Sequence, residues 1–184
     1  VLTEHQQKCY DGISKDLKEG RFSRNLIFGV TGSGKTEIYL QAIEKVLNEG
    51  RTSIMLVPEI SLTPQMVDRF IARFGKEKIA VLHSKLSIGE RFDAWNRIIK
   101  GDVKIVIGAR SAIFAPIKDI GLIIIDEEHD SSYQSEMSPK YNAKEIAKYI
   151  ANPAIAAITV VTVGIIINNF LVNGFIYVKK TFSI

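Results

Sequence analysis

An α/β fold, a mostly parallel sheet with helices on both faces, is predicted by three features of this 184-residue sequence. Short, almost wholly apolar runs alternate with stretches of helical spacing. The links between them are brief, and Gly29-Val30-Thr31-Gly32-Ser33-Gly34-Lys35-Thr36 lies where the first run turns into a helix. Strands apolar on both sides are strands covered on both faces. Alternation with helices makes the sheet parallel and gathers ligands at the carboxyl ends of its strands. The glycine-rich segment has the phosphate-loop spacing, in which backbone N–H groups and a helix N-terminus converge on an anion. Gly32, Ser33, Gly34, Lys35 and Thr36 are therefore candidates for binding a nucleotide, with Lys35 on the terminal phosphates and the Thr36 hydroxyl on Mg2+.

The elements follow in order. Thr3 and Gln6 have capping-box spacing before a helix with Cys9, Ile13 and Leu17 on one face, closed by Gly20. Residues 25–28 form the strand before the loop. After it, residues 37–48 carry Ile38, Ala42, Ile43, Val46 and Leu47 as a helical stripe ending at Gly50. Residues 53–57 are the next strand, stopped by Pro58. Thr63-Pro64 sets a capping residue before a proline at the first helical position, with Met66, Val67, Phe70, Ile71 and Phe74 as the buried side and Gly75 as the stop. Residues 79–82 are a third strand. Ser87 and Glu90 make a second capping box for a helix through Phe92, Trp95, Ile98 and Ile99 to Gly101. Residues 104–107 and 122–125 are the fourth and fifth strands.

Composition bounds the function only loosely. Charged residues are 24% and hydrophobic ones 46%, ordinary for a folded domain, and a net charge of +4 gives no strong basic footprint for nucleic acid. A single cysteine, Cys9, excludes an internal disulfide and a multi-cysteine zinc site, and suits a reducing cytoplasm. The first six residues have no secretory pattern, and the absence of an initial Met fits a piece of something longer.

A second site follows the fifth strand, in Ile125-Asp126-Glu127-Glu128-His129. Asp126 suits the metal and Glu127 suits taking a proton from an attacking water. His129 draws interest only from standing beside them.

Four segments together carry a family resemblance. They are Gly29 to Thr36 continuing into Glu37-Ile38-Tyr39-Leu40, Leu56-Val57-Pro58-Glu59-Ile60-Ser61-Leu62-Thr63-Pro64-Gln65, Gly108-Ala109-Arg110-Ser111-Ala112-Ile113-Phe114-Ala115-Pro116, and Asp126-Glu127-Glu128-His129. From about residue 2 to 150 the chain resembles the primosomal protein N′ family, bacterial replication-restart DNA helicases of superfamily 2. The resemblance implies a RecA-like P-loop NTPase lobe at 1–150, using ATP and Mg2+ to drive 3′ to 5′ movement on DNA. It implies that Gln6 reads the adenine edge, that Thr36 and Asp126 hold the metal, that Lys35 and Glu127 serve hydrolysis, and that His129 relays nucleotide state. It further implies DNA contacts from Pro58, Glu59, Ser61, Thr63, Gln65, Arg110 and Ser111, and from Tyr133 and Tyr141 in an aromatic-rich loop. Segments of this kind grip phosphate backbone or stack on bases without reading sequence. The implied partners are single-stranded and forked DNA, other primosome proteins and a second motor lobe, in the bacterial cytoplasm and away from membranes. Leu82-His83-Ser84 and Glu90-Arg91-Phe92 with Trp95 also fit the family pattern, although chemistry alone makes Trp95 core and His83 a hydrogen-bonding strand end. Lys140 and Lys144 stand where the family leads one to expect arginines.

Residues 151–184 depart from the pattern. The expected strand with a Ser-Ala-Thr motif is missing, and residues 154–178 are nearly uncharged and rich in Ile and Val, broken by Asn168, Asn169 and Asn173. This tail reads as extra strands, with Asn173-Gly174 as a turn between 170–172 and 175–178, or as non-native sequence. A membrane span is disfavoured by the asparagines. With no second lobe, catalytic arginine, zinc-binding cysteines or N-terminal DNA-binding region in the sequence, the expectation is ATP binding with slow hydrolysis and no unwinding. Two other readings stay open: a phosphotransferase of kinase type, and a non-catalytic nucleotide-binding module.

Overall fold

The computed structural model describes residues 2–19, 22–29, 32–151, 159–164 and 177–180. Its strands are β1 (Ser23–Phe28), β2 (Thr52–Leu56), β3 (Ile79–Leu82), β4 (Ile105–Gly108), β5 (Ile120–Ile125), β6 (Thr159–Gly164) and β7 (Tyr177–Lys180). Its helices are α1 (Glu4–Glu19), α2 (Lys35–Asn48), α3 (Pro64–Phe74), α4 (Ile88–Lys100) and α5 (Ala143–Ile150). Every element expected before residue 150 is present, with strand ends moved by one or two residues.

The strands form one sheet in the order β3-β4-β2-β5-β6-β1-β7. All neighbouring pairs run parallel except β7, which lies antiparallel on the outer edge of β1. An antiparallel edge strand on an otherwise parallel sheet is a common arrangement. Two strands thus come from the tail, and β6 occupies an interior place between β5 and β1, with Ile125 opposite Thr162 and Phe28 opposite Gly164. Asn168, Asn169 and the proposed Asn173-Gly174 turn lie outside the described residues, as do Gly20, Val30 and Thr31.

Alternation along the central strands builds a core on each face. Met55, Val57, Ile105, Ile107, Leu122 and Ile124 pack with Ile13, Ile38, Ile43 and Phe70, so α1, α2 and α3 cover one face. Ile54, Leu56, Val106, Ile123 and Ile125 pack with Ile98, Ala143 and Ala147, so α4 and α5 cover the other. Each fully buried Ile or Leu contributes roughly 1.5–3 kcal/mol, which is why the uncharged runs lie at the centre of the sheet.

The caps set where the helices start. Thr63 accepts from the Met66 N–H at 3.3 Å ahead of Pro64, and Ser87 and Glu90 form a reciprocal capping box on α4. At α1 the Thr3 N–H donates to Gln6 Oε1 at 2.8 Å. Gly108 has a separate reason to be glycine, because a Cβ there would run into the Leu82 carbonyl oxygen and Ala112.

Candidate nucleotide and DNA site

The phosphate loop and the acidic motif meet at the carboxyl ends of β1 and β5. Gly32, Gly34, Lys35 and Thr36 line a cavity of about 510 Å³ together with Glu37, Tyr39, Leu40, Arg69, Asp126 and Glu127. Gly34 holds φ 78°, a left-handed conformation that glycine adopts freely, and a Cβ there would collide with the Gln6 side chain. From this turn α2 starts directly, with the Glu37 N–H donating to the Gly34 carbonyl at 3.0 Å. Lys35 Nζ donates to the Gly29 carbonyl at 2.9 Å. Desolvation pulls the Lys35 ammonium below its ordinary pKa, opposed by the charges of Asp126 and Glu127.

Gln6 spans from α1 to the loop. Its Nε2 donates to the Ser33 carbonyl at 2.9 Å while Oε1 accepts from Thr3. It therefore sits against the phosphate loop, with both ends of its amide engaged.

Asp126 is held from three sides. Its N–H donates to the Leu56 carbonyl at 2.9 Å, fixing the end of β5 against β2. Its Oδ1 accepts from the Tyr39 hydroxyl at 3.1 Å and from the Glu127 N–H at 3.0 Å. Desolvation raises the Asp126 pKa, and the Tyr39 and Glu127 hydrogen bonds partly offset that rise. A carboxylate stripped of water in this way gains from a bound cation. With Thr36 it offers the oxygen ligands that Mg2+ prefers, the remaining positions going to phosphate and water. The residues present thus fit a magnesium nucleotide. Among the described residues no group of three or more His, Cys, Asp or Glu side chains gathers as a metal cage of its own.

Glu127 has φ 47°, uncommon for a residue with a side chain. Its carboxylate accepts from the Ser61 hydroxyl at 3.3 Å, so the segment after β2 touches the acidic motif directly. Nearby, Glu59 accepts from the Ser84 N–H at 3.2 Å and from the Ser84 hydroxyl. Glu59 thus ties the turn after β2 to the turn after β3.

The residues expected on DNA are distributed unevenly. Glu59, Thr63, Gln65 and Ser111 are exposed, Ser61 is half-buried and Pro58 is buried at the end of β2. Arg110 Nη1 donates to the Gln134 carbonyl at 2.7 Å and to Ser132 at 3.3 Å, bracing the 131–134 turn. Tyr141 is half-buried, edge-on to Phe114 with ring centroids 5.0 Å apart. His129 is exposed and does not line the cavity. Lys144 donates to the Glu128 carbonyl at 3.0 Å.

Tyr133 corrects the sequence reading. It is wholly buried, and its hydroxyl lies between the carbonyl oxygens of Leu56, at 3.1 Å, and Asp126. The Leu56 oxygen already accepts from the Asp126 N–H, so the single hydroxyl proton goes chiefly to the nearer Asp126 oxygen, which holds the ring inside. A ring so placed has no face for a base. Glu37, Tyr39, Leu40 and Arg69 are cavity residues that the sequence did not mark as site residues. Tyr39 passes as one more core position on α2, and Arg69 as a solvent-facing charge on α3.

Comparison with known proteins shows the family and the fold. The family described as "Type III restriction enzyme, res subunit" matches residues 1–160. The replication restart protein PriA of Bacillus subtilis is 57% identical over 146 residues, 79% of this chain and 18% of that protein. The PriA protein of Chlamydia pneumoniae is 50% identical over 147 residues, again 79% of this chain and 20% of the other. The chain therefore spans about one fifth of the length of these relatives. Among solved structures, RecG bound to a three-way DNA junction superposes with a TM-score of 0.67 at 26% identity, covering 89% of this chain and 21% of that one. The Hef helicase domain of Pyrococcus furiosus gives 0.59 at 21% identity over 84% and 31%, a likeness of fold alone. The resemblance and the RecA-like fold expected from sequence are both met.

Proposed function

This chain belongs to the family described as type III restriction enzyme, res subunit, and from that membership together with its similarity to replication restart proteins PriA we propose that it is the ATP-binding motor lobe of a 3′ to 5′ DNA helicase acting in replication restart. One observation carries the reading: a single cavity joins the phosphate loop to Asp126 and Glu127, and Ser61, from the segment proposed to grip DNA, hydrogen-bonds Glu127. Lys35 neutralises the terminal phosphates. Thr36 and Asp126 would hold Mg2+, which would supply neutralisation of phosphate charge when bound. Glu127 accepts the proton of the attacking water. Gln6, Gly32, Ser33 and Gly34 complete the nucleotide site, and His129 relays nucleotide state toward the DNA side.

Glu59, Ser61, Thr63, Gln65, Arg110 and Ser111 follow the ends of β2 and β4, a track for the phosphates of a single strand to which Tyr141, packed on Phe114, would add a ring. Pro58 and Tyr133, expected on DNA from the sequence, are both buried and have no place on it. RecG, of like fold, was solved on a three-way DNA junction, which supports forked DNA as a substrate. Primosome proteins and a second motor lobe are the proposed partners, in the bacterial cytoplasm. No helix among the described residues is long and apolar enough to cross a membrane.

The test is ATP hydrolysis by this lobe joined to a second motor lobe, with and without single-stranded DNA. Hydrolysis roughly tenfold or more above that of the lobe alone is expected, since the second lobe brings the charge-stabilising arginine, and single-stranded DNA is expected to raise it further. Phosphate transferred to a small acceptor would favour a phosphotransferase instead. Nucleotide binding with no hydrolysis under any condition would favour a non-catalytic module.

A further inference from the structure

We propose that Arg69 is a nucleotide-binding residue that reads the terminal phosphate of ATP, a cation supplied by this lobe itself; the proposal rests on the cavity being an ATP site. Arg69 lies on α3 and lines the same cavity as Lys35, Thr36, Asp126 and Glu127. Those residues mark the terminal-phosphate end. Gln6, assigned to the base, is not among the cavity-lining residues.

The helix that carries Arg69 is fixed in place. Phe70 and Phe74 are buried, and Arg73 pairs with Glu44 at 2.7 Å and Glu37 at 3.7 Å on α2. Arg69 and Arg73 are four residues apart, so they share one helical face. Arg73 is thereby committed to docking α3. Arg69, one turn closer to the carboxyl end of β2, has no hydrogen bond or ion pair among the described residues. The planar fork of a guanidinium matches phosphate oxygens better than a lysine ammonium. The cavity also holds Asp126 and Glu127, so a triphosphate entering it needs more positive charge than Lys35 and one Mg2+ supply.

Calorimetric titration of Mg-ATP and Mg-ADP into the 184-residue chain, beside Arg69→Ala and Arg69→Lys, tests this. In Arg69→Ala the ATP affinity is expected to fall about tenfold, the loss of one charge-assisted hydrogen bond, while ADP affinity stays within about twofold. Arg69→Lys is expected to recover part of the difference. Unchanged affinities for both nucleotides overturn the proposal, as does an equal loss for both. A folded wild-type chain that binds neither nucleotide overturns the ATP-site reading and this assignment with it.

Discussion

Tyr133→Ala is expected to destabilise the chain by about 3–5 kcal/mol, the range for removing a large buried aromatic ring. Two effects add. The ring packs in the core on the α4 and α5 side of the sheet, where its loss leaves a cavity. The hydroxyl also lies against the Leu56 and Asp126 carbonyl oxygens, at the ends of the two strands that lead into the segment proposed to grip DNA and the acidic motif. Tyr133→Phe keeps the ring and is expected to cost only about 1–2 kcal/mol. Urea unfolding with an unchanged slope separates the two. If Tyr133→Ala were to change stability by less than about 1 kcal/mol, the ring would be acting on the surface, and the sequence reading of a base-stacking residue would be restored.

Glu127→Gln, placed in the lobe joined to a second motor lobe, is expected to slow hydrolysis by roughly 10²–10⁴-fold, the usual contribution of a positioned general base. Mg-ATP affinity is expected to stay within a few fold. Glutamine keeps an acceptor for the Ser61 hydroxyl, so the contact between the segment after β2 and the acidic motif survives while proton uptake does not. Single-turnover hydrolysis beside equilibrium binding checks both halves. A variant that loses binding as much as hydrolysis would make Glu127 a metal or phosphate ligand rather than the base.

Which features sequence reading captured follows from how local their causes are. The strands at 52–56, 79–82, 105–108 and 120–125 were legible because each is a largely buried, mostly apolar run, and β1 because its apolar end, Leu26-Ile27-Phe28, runs straight into the glycine-rich loop. The helix starts at Pro64 and Ile88 were legible because Thr63, Ser87 and Glu90 cap with neighbours three residues away. The cavity was legible because glycines, Lys35 and Thr36 at that spacing need a strand on one side and a helix on the other.

What escaped depends on distant partners. Tyr133 looks like an exposed loop tyrosine until Leu56, 77 residues earlier, supplies the acceptor that lets it be buried. Asn25 lies in an apparent apolar strand, yet its side chain is buried against Asp16 at 3.0 Å. Arg69 gives no signal at all, since the periodicity of α3 puts it outside the apolar stripe. The seating of β6 between β5 and β1 is a matter of order across the sheet, which a strand's own composition does not encode.

The central claim is that the phosphate loop and the acidic motif form one magnesium-nucleotide site. Calorimetric titration of Mg-ATP into the 184-residue chain, beside Lys35→Ala, tests it most directly. Saturable one-to-one binding, weakened roughly 100-fold or more in the variant by loss of the charge on the terminal phosphates, is the predicted result. A folded wild-type chain that gives no binding heat, or a Lys35→Ala chain that binds as tightly as the wild type, would contradict it.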